Sequence, residues 1–207
     1  RALYVAWGLG LGGVGRLLAR GLQKVIGPVR LGADPFDNNP QFFFDVLQRR
    51  RNGANASFCC GAGSIHRREA IWQSALRSYA FEAPSIKSRA LGPYSLGSLL
   101  DIEEREGRFA RAAGIGWFVD DHLAEIGVFE TDPAAVALRY VGTPYLWGGR
   151  ESLGLDCSGL TLQAFGACVI ALPRDTDQQA QGGLGVAEGE LARGDLVFWK
   201  GHVAMML

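Results

Sequence analysis

The stretch from Gly154 to Cys168 constrains this chain more than any other. Gly154-Leu155-Asp156-Cys157-Ser158-Gly159-Leu160 opens an apolar-periodic run, Leu160, Leu162, Ala164, Phe165 and Cys168, which predicts a helix with Cys157 in its first turn. A helix N-terminus carries about half a positive charge. It favours thiolate over thiol, so a cysteine held there is a better nucleophile near neutral pH. Its own N–H, with a neighbour, can face an oxyanion formed on attack. The sulfur still needs a base, and the only His in the last third of the chain is His202. It follows Gly194-Asp195-Leu-Val-Phe-Trp199-Lys-Gly201. Asp195–Trp199 and His202–Leu207 read as paired strands joined by a tight Lys200-Gly201 turn. A strand-borne His would thus meet a helix-borne Cys, an arrangement set by the fold and not by local spacing.

Composition narrows the rest. The chain has 207 residues, enough for one large domain or two small ones. Lys plus Arg and Asp plus Glu balance at 21 each, so no global field draws in nucleic acid or an anionic membrane. The 29 glycines are roughly double the ordinary share and favour turns and β-structure over long helices. The four cysteines, Cys59, Cys60, Cys157 and Cys168, form no CxxC pair and no His-x-Cys ligand spacing, so neither a metal site nor a disulfide framework is expected. No run of 18 or more apolar residues is present, so no membrane-spanning helix is expected. The chain opens on Arg1 and stops inside an expected strand, so both ends read as cut.

Three parts are expected: 1–82, 83–128 and 129–207. The first contains Gly8-Leu-Gly10-Leu-Gly12-Gly13-Val-Gly15, which satisfies GxGxxG in two registers. It lies between an apolar stretch and a helix-like stretch, Arg16 to Val25. A dinucleotide could bind such glycines at a helix N-terminus, but no further βαβ units follow, and a plain Gly-rich loop is the simpler reading. Farther on come Asp34-Pro-Phe-Asp-Asn-Asn-Pro-Gln-Phe-Phe-Phe-Asp-Val46 and Asn55-Ala-Ser-Phe-Cys59-Cys60-Gly-Ala-Gly-Ser-Ile-His66-Arg-Arg68. Over about residues 28–82 this block resembles a fragment of the cellulose-synthase-like family-2 glycosyltransferases. It has no DxD, Thr-Glu-Asp or Gln-x-x-Arg-Trp motif, so the carboxylates that hold a metal and take a proton are missing. Cys59 and Cys60 read as small buried hydrophobes.

The middle part alternates with period two. Ser98–Glu103, Arg108–Ala112 and Gly116–Val119 read as strands, with turns at Glu106-Gly107 and around Gly114. The Gly116-Trp117-Phe118-Val119 run and the following Asp-His-Leu step resemble the closing strand of bacterial SH3-like domains, which implies a small barrel that helps dock on cell wall. Trp117 and Phe118 read as core and cover residues, and His122 as a surface or capping residue.

The third part opens with Thr131-Asp132-Pro133, an N-cap-like start to a helix through Tyr140. Gly142-Thr-Pro-Tyr145-Leu-Trp147-Gly-Gly149, Asp156-Cys-Ser-Gly-Leu160, Pro173-Arg174-Asp175-x-x-Gln178, Gly194-Asp-Leu-Val-Phe198 and His202-Val203 look like the ordered motifs of the NlpC family of papain-like cysteine peptidases. The resemblance covers about residues 136–207. It implies an endopeptidase acting on peptidoglycan stem peptides at γ-D-glutamyl-diamino acid bonds. By position Cys157 is the expected nucleophile and His202 the general base. Tyr145, Asp156, Ser158 and Arg174 are expected in or beside the substrate cleft, where an acidic and a hydroxyl group suit a free stem amine. The family's third polar residue, which orients the His, is expected beyond Leu207.

The expected fold class is α+β: a C-terminally truncated papain-like peptidase core, preceded by a small SH3-like β-barrel and an irregular α/β N-terminal segment. No cofactor and no metal are expected, and the partners are peptidoglycan stem peptides, with no nucleic acid and no integral membrane segment. The oligomeric state is left open. The resemblance implies the bacterial cell envelope or secretion, with the cytoplasm as the alternative. Two rival readings are a catalytically dead cell-wall-binding module and a non-functional fusion carrying a glycosyltransferase fragment.

Overall fold

The computed structural model describes residues 24–26 and 69–207. The Gly8–Gly15 run, the 28–68 part of the glycosyltransferase-like block and nearly all of the expected Arg16–Val25 helix lie outside them. Among the described residues the first element is a strand, β1 (Lys24–Ile26).

Seven strands then form one antiparallel sheet. They are β2 (Glu69–Gln73), β3 (Arg77–Phe81), β4 (Ala90–Ser95), β5 (Leu99–Glu106), β6 (Phe109–Ala112), β7 (Gly116–Val119) and β8 (Leu123–Glu125). Their order is β4-β3-β7-β6-β5-β2-β8. One face of this sheet surrounds a core of Ile71, Ala80, Leu100, Ile102, Ala110, Ala112 and Phe118. Ile71 and Ala80 sit on strands near opposite ends of the order, so the sheet curls around a single interior. Gly107 takes φ 56° in the turn between β5 and β6, a conformation open to glycine at little cost. Trp117 is buried with the Arg111 guanidinium 5.8 Å from its ring centroid.

The sheet begins earlier than the expected 82/83 boundary, because β2 and β3 belong to it. Ser78 and Ala80 on β3 point inward between exposed Arg77 and Tyr79. A small and a polar residue at those two positions leave little apolar alternation for a sequence reading to detect.

The C-terminal part packs helices on a small sheet. Helix α1 (Pro133–Arg139) starts at Asp132, whose carboxylate accepts from the N–H groups of Ala134 and Ala135, with Pro133 at the position that needs no donor. A short hairpin, β9 (Arg150–Glu151) and β10 (Gly154–Leu155), leads into helix α2 (Cys157–Gly166). The one-turn helix α3 (Thr176–Gln179) follows, then β11 (Leu196–Trp199) and β12 (His202–Met205). β11 pairs with β12 on one side and antiparallel with β1 on the other. Ala134, Val136, Ala137, Tyr140, Leu155, Leu160, Ala164, Phe165, Phe198, Val203 and Met205 form the core between these layers. Trp72 and Leu96 from the seven-stranded sheet belong to the same core. The α+β class holds, and no described helix is long and apolar enough to cross a membrane.

Candidate active site

Asp156 caps α2. Its backbone is extended, with φ −96°, and its Oδ1 accepts the Gly159 N–H at 2.7 Å. That bond uses one of the free donors of the first turn. The helix starts at the next residue, so Cys157 lies at its mouth. The same carboxylate receives the Gly148 N–H at 2.9 Å and both terminal nitrogens of Arg174, at 2.6 Å on Oδ2 and 3.0 Å on Oδ1. Ser158 Oγ donates to Oδ1 at 3.3 Å and itself accepts from Arg174 at 2.9 Å. Burial pushes the Asp156 carboxyl up, but the Arg174 bond and the Gly159 and Gly148 N–H groups outweigh it and hold the carboxyl below its ordinary value. Arg174 is raised in turn, chiefly by its bond to Asp156.

Cys157 is 7% exposed. Burial raises its thiol pKa. Against that act the hydrogen bond with the His202 side chain, the Val203 N–H, the His202 charge and the Thr176 hydroxyl, and together they leave the thiol below its ordinary value. Thr176 Oγ1 lies 3.7 Å from the sulfur. Cys168, on the chain just past α2, behaves in the opposite way. Burial and the negative charges of Glu130 and Asp132 push it up to about 11. Of two thiols attached to one helix, only the one at its positive end is held toward the thiolate.

His202 opens β12 and pairs across the hairpin with Trp199, their ring centroids 6.1 Å apart. Gly201, at φ 74°, makes the tight turn between them. His202 Nε2 is buried and has no partner among the described residues. The ring nitrogen that serves the sulfur is therefore Nδ1. Tyr145 is 42% exposed on the lead-in loop. Burial raises its hydroxyl pKa, and the negative charges of Cys157 and Asp156 raise it further.

All six expected residues thus meet in one region, but not alike. Cys157 meets His202, and Tyr145 lies near enough to feel the charge of Cys157. Asp156 and Ser158, at 7% and 4% exposure, are turned into a network with Arg174 beneath the helix mouth. Thr176, Gln179 and the Val203 N–H also belong to the site. The Pro173-Arg174-Asp175 run stands next to Thr176 in the sequence, yet only the fold shows that a residue two positions beyond Arg174 reaches the sulfur. As chemistry, the arrangement offers an activated thiol, a base, and the unpaired end of a helix able to receive an oxyanion.

Residues 142–207 match the model of the NlpC/P60 family. The chain is 43% identical over 60 residues to a gamma-D-glutamyl-L-lysine dipeptidyl-peptidase of Bacillus subtilis, a match covering 29% of this chain and 20% of that protein. It is 32% identical over 125 residues to a probable endopeptidase of Corynebacterium glutamicum, covering 59% of this chain and 52% of the other. The chain therefore spans about half or less of the length of these curated relatives. A solved NlpC/P60 family protein from Bacillus cereus superposes with a TM-score of 0.54 at 23% identity, covering 67% of this chain and 51% of that one, a likeness of fold. The likeness to the NlpC/P60 family thus lies in residues 142–207, about a third of the chain.

Proposed function

We propose that this chain is a cysteine endopeptidase that hydrolyses peptidoglycan stem peptides, at γ-D-glutamyl-diamino acid bonds, in the cell envelope or after secretion. The observation that carries this reading is the pairing of Cys157, at the mouth of α2, with the His202 imidazole on β12. The γ-D-glutamyl specificity is supported by the likeness to the Bacillus subtilis protein named a gamma-D-glutamyl-L-lysine dipeptidyl-peptidase.

Cys157 gives its proton to His202 Nδ1, and the sulfur attacks the carbonyl carbon. The oxyanion meets the N–H groups at the start of α2. His202 then passes its proton to the leaving amine as the C–N bond breaks, leaving a thioester. A water molecule, deprotonated by the same imidazole, attacks the thioester and releases the acid and the thiol. An acceptor at Nε2 would fix the tautomer that leaves Nδ1 free for this proton. The curled seven-stranded sheet takes the place of the SH3-like domain in this reading, with cell-wall docking as its role.

The test is cleavage of L-alanyl-γ-D-glutamyl-diamino acid peptides by wild type, Cys157→Ala and Cys168→Ala. Loss of a nucleophile from such a site costs at least about 10³-fold in rate, so Cys157→Ala should show no turnover while Cys168→Ala cleaves normally. Equal activity of Cys157→Ala and wild type would overturn the proposal, as would a wild-type chain that binds the peptide and leaves it whole.

A further inference from the structure

Residues 173–179 cross the first turn of α2 as a strap, and the strap is fastened on both sides of Thr176. On one side Arg174 grips Asp156 and Ser158, with a further contact to the Gly149 carbonyl at 3.3 Å. On the other, Gln179 is buried at 3% exposure. Its Nε2 donates to the Ser158 carbonyl at 3.1 Å and to the Pro173 carbonyl at 2.8 Å, while its Oε1 accepts from Thr161 Oγ1 at 2.8 Å. Both anchors hold the helix that carries Cys157. Thr176 sits between them at the start of α3. The sulfur, 3.7 Å away, is the one partner of its hydroxyl among the described residues.

We propose that the Thr176 hydroxyl donates a hydrogen bond to the Cys157 sulfur anion and holds it in place for attack, as a third donor beside the His202 ring and the Val203 N–H. The inference rests on Cys157 being the nucleophile. A hydroxyl can rotate its hydrogen toward a thiolate at this distance, and a bond to a charged acceptor is stronger than one to a neutral thiol. No proton is transferred, since an aliphatic hydroxyl keeps its own. The groups with charge or titration that face the sulfur are His202 from β12, Tyr145 from the lead-in loop and Arg174 from the strap, with Asp156 beside it at the helix mouth. Thr176 adds a donor whose charge does not change with pH, so its effect on the thiolate is present wherever the fold is.

The test is the pH profile of Cys157 alkylation by iodoacetamide, read by peptide mass spectrometry so that other thiols do not interfere. It is run on wild type and on the Thr176→Val, Thr176→Ala and Thr176→Ser variants. A hydrogen bond of the ordinary net size corresponds to about three- to tenfold in thiolate population. Thr176→Val and Thr176→Ala should therefore alkylate about three- to tenfold more slowly near pH 6.5, reach the wild-type rate above pH 10, and show a titration moved upward. Thr176→Ser should follow wild type. An unmoved titration in Thr176→Val and Thr176→Ala overturns the proposal, including the case in which peptide cleavage weakens through KM alone, the mark of a substrate contact. If Cys157 in wild type titrates no lower than Cys168, the nucleophile reading itself fails, an outcome distinct from loss of the threonine's role alone.

Discussion

The Asp156 carboxylate accepts from the backbone of Gly148 and Gly159, from Ser158 and from both arms of Arg174. The sequence places an acid beside the nucleophile, and its bulk chemistry suggests a partner for a substrate amine. The fold also makes that acid the cap of α2 and the anchor of the strap. Nothing in Asp-Cys-Ser-Gly tells these roles apart, because the deciding partner, Arg174, is brought in by a distant loop. The consequence for stability has a definite sign. The folded carboxyl titrates below its ordinary value of 3.8, so its contribution is fully present above that pH and is lost as the pH falls through the folded pKa. Asp156→Asn leaves a partly buried guanidinium without its charge partner. The variant should be less stable at pH 7 by about 1–3 kcal/mol, and the gap to wild type should narrow as the pH drops below 3.8. Urea unfolding at pH 7, 5 and 3 measures it, and a gap that stays constant over that range would refute the linkage.

At the level of elements, the helix with Cys157 in its first turn and the His202 hairpin were both legible, because each carries its own period and its own turn signal. Less legible was the junction between them. A Cβ on Gly159 would meet the Gly149 carbonyl oxygen at 2.2 Å, and one on Gly149 would meet the Gly154 carbonyl oxygen at 2.4 Å, so each of the two motifs needs its glycine for a contact of its own. Pairing of β1 with β11 joins Lys24–Ile26 to residues far along the chain, and no local pattern encodes a contact of that range. The far end of α2 offers a test. Val169 follows the helix with φ 63°, and the Ile170 N–H bonds back to the Phe165 carbonyl at 3.0 Å. This is a left-handed helix ending, which a β-branched residue adopts only at a cost and glycine adopts freely. Val169→Gly removes about 1–2 kcal/mol of backbone strain and gives back roughly 0.5–1 kcal/mol through the freer unfolded chain. A net gain of up to about 1.5 kcal/mol should appear as a higher Tm in calorimetry. A lower Tm would mean that Val169 packing outweighs its strain.

Among the described residues the curled sheet has an interior of its own and also lends Trp72 and Leu96 to the core of the helical layer. Trp72 leaves the curled sheet to pack with α1, α2 and the β11–β12 hairpin, meets Phe129 at 6.1 Å, and donates its indole N–H to the Val128 carbonyl at 2.9 Å. Arg77 on β3 reaches the same way, giving Nε to the Ser152 carbonyl and Nη2 to Thr143 Oγ1, both at 2.9 Å, while Ser95 Oγ meets Ser152 Oγ at 2.8 Å. Ser152 lies in the turn between β9 and β10, just ahead of Asp156, so the sheet braces the segment that delivers the nucleophile. An expected boundary between a binding module and a peptidase would make these contacts incidental and the two parts independent in unfolding. The buried Trp72 and Leu96 junction argues for a single cooperative unit instead, since the two layers cannot separate without exposing both residues. Trp72→Ala removes a large buried side chain and should cost about 3–5 kcal/mol. In hydrogen exchange across a denaturant series, amides of β5 and β6 and those of α2 and β12 should lose protection at one midpoint in wild type. In Trp72→Ala both groups should move to lower denaturant together. A midpoint that shifts for α2 and β12 while β5 and β6 stay put would show that the curled sheet folds on its own and that Trp72 serves the catalytic layer alone.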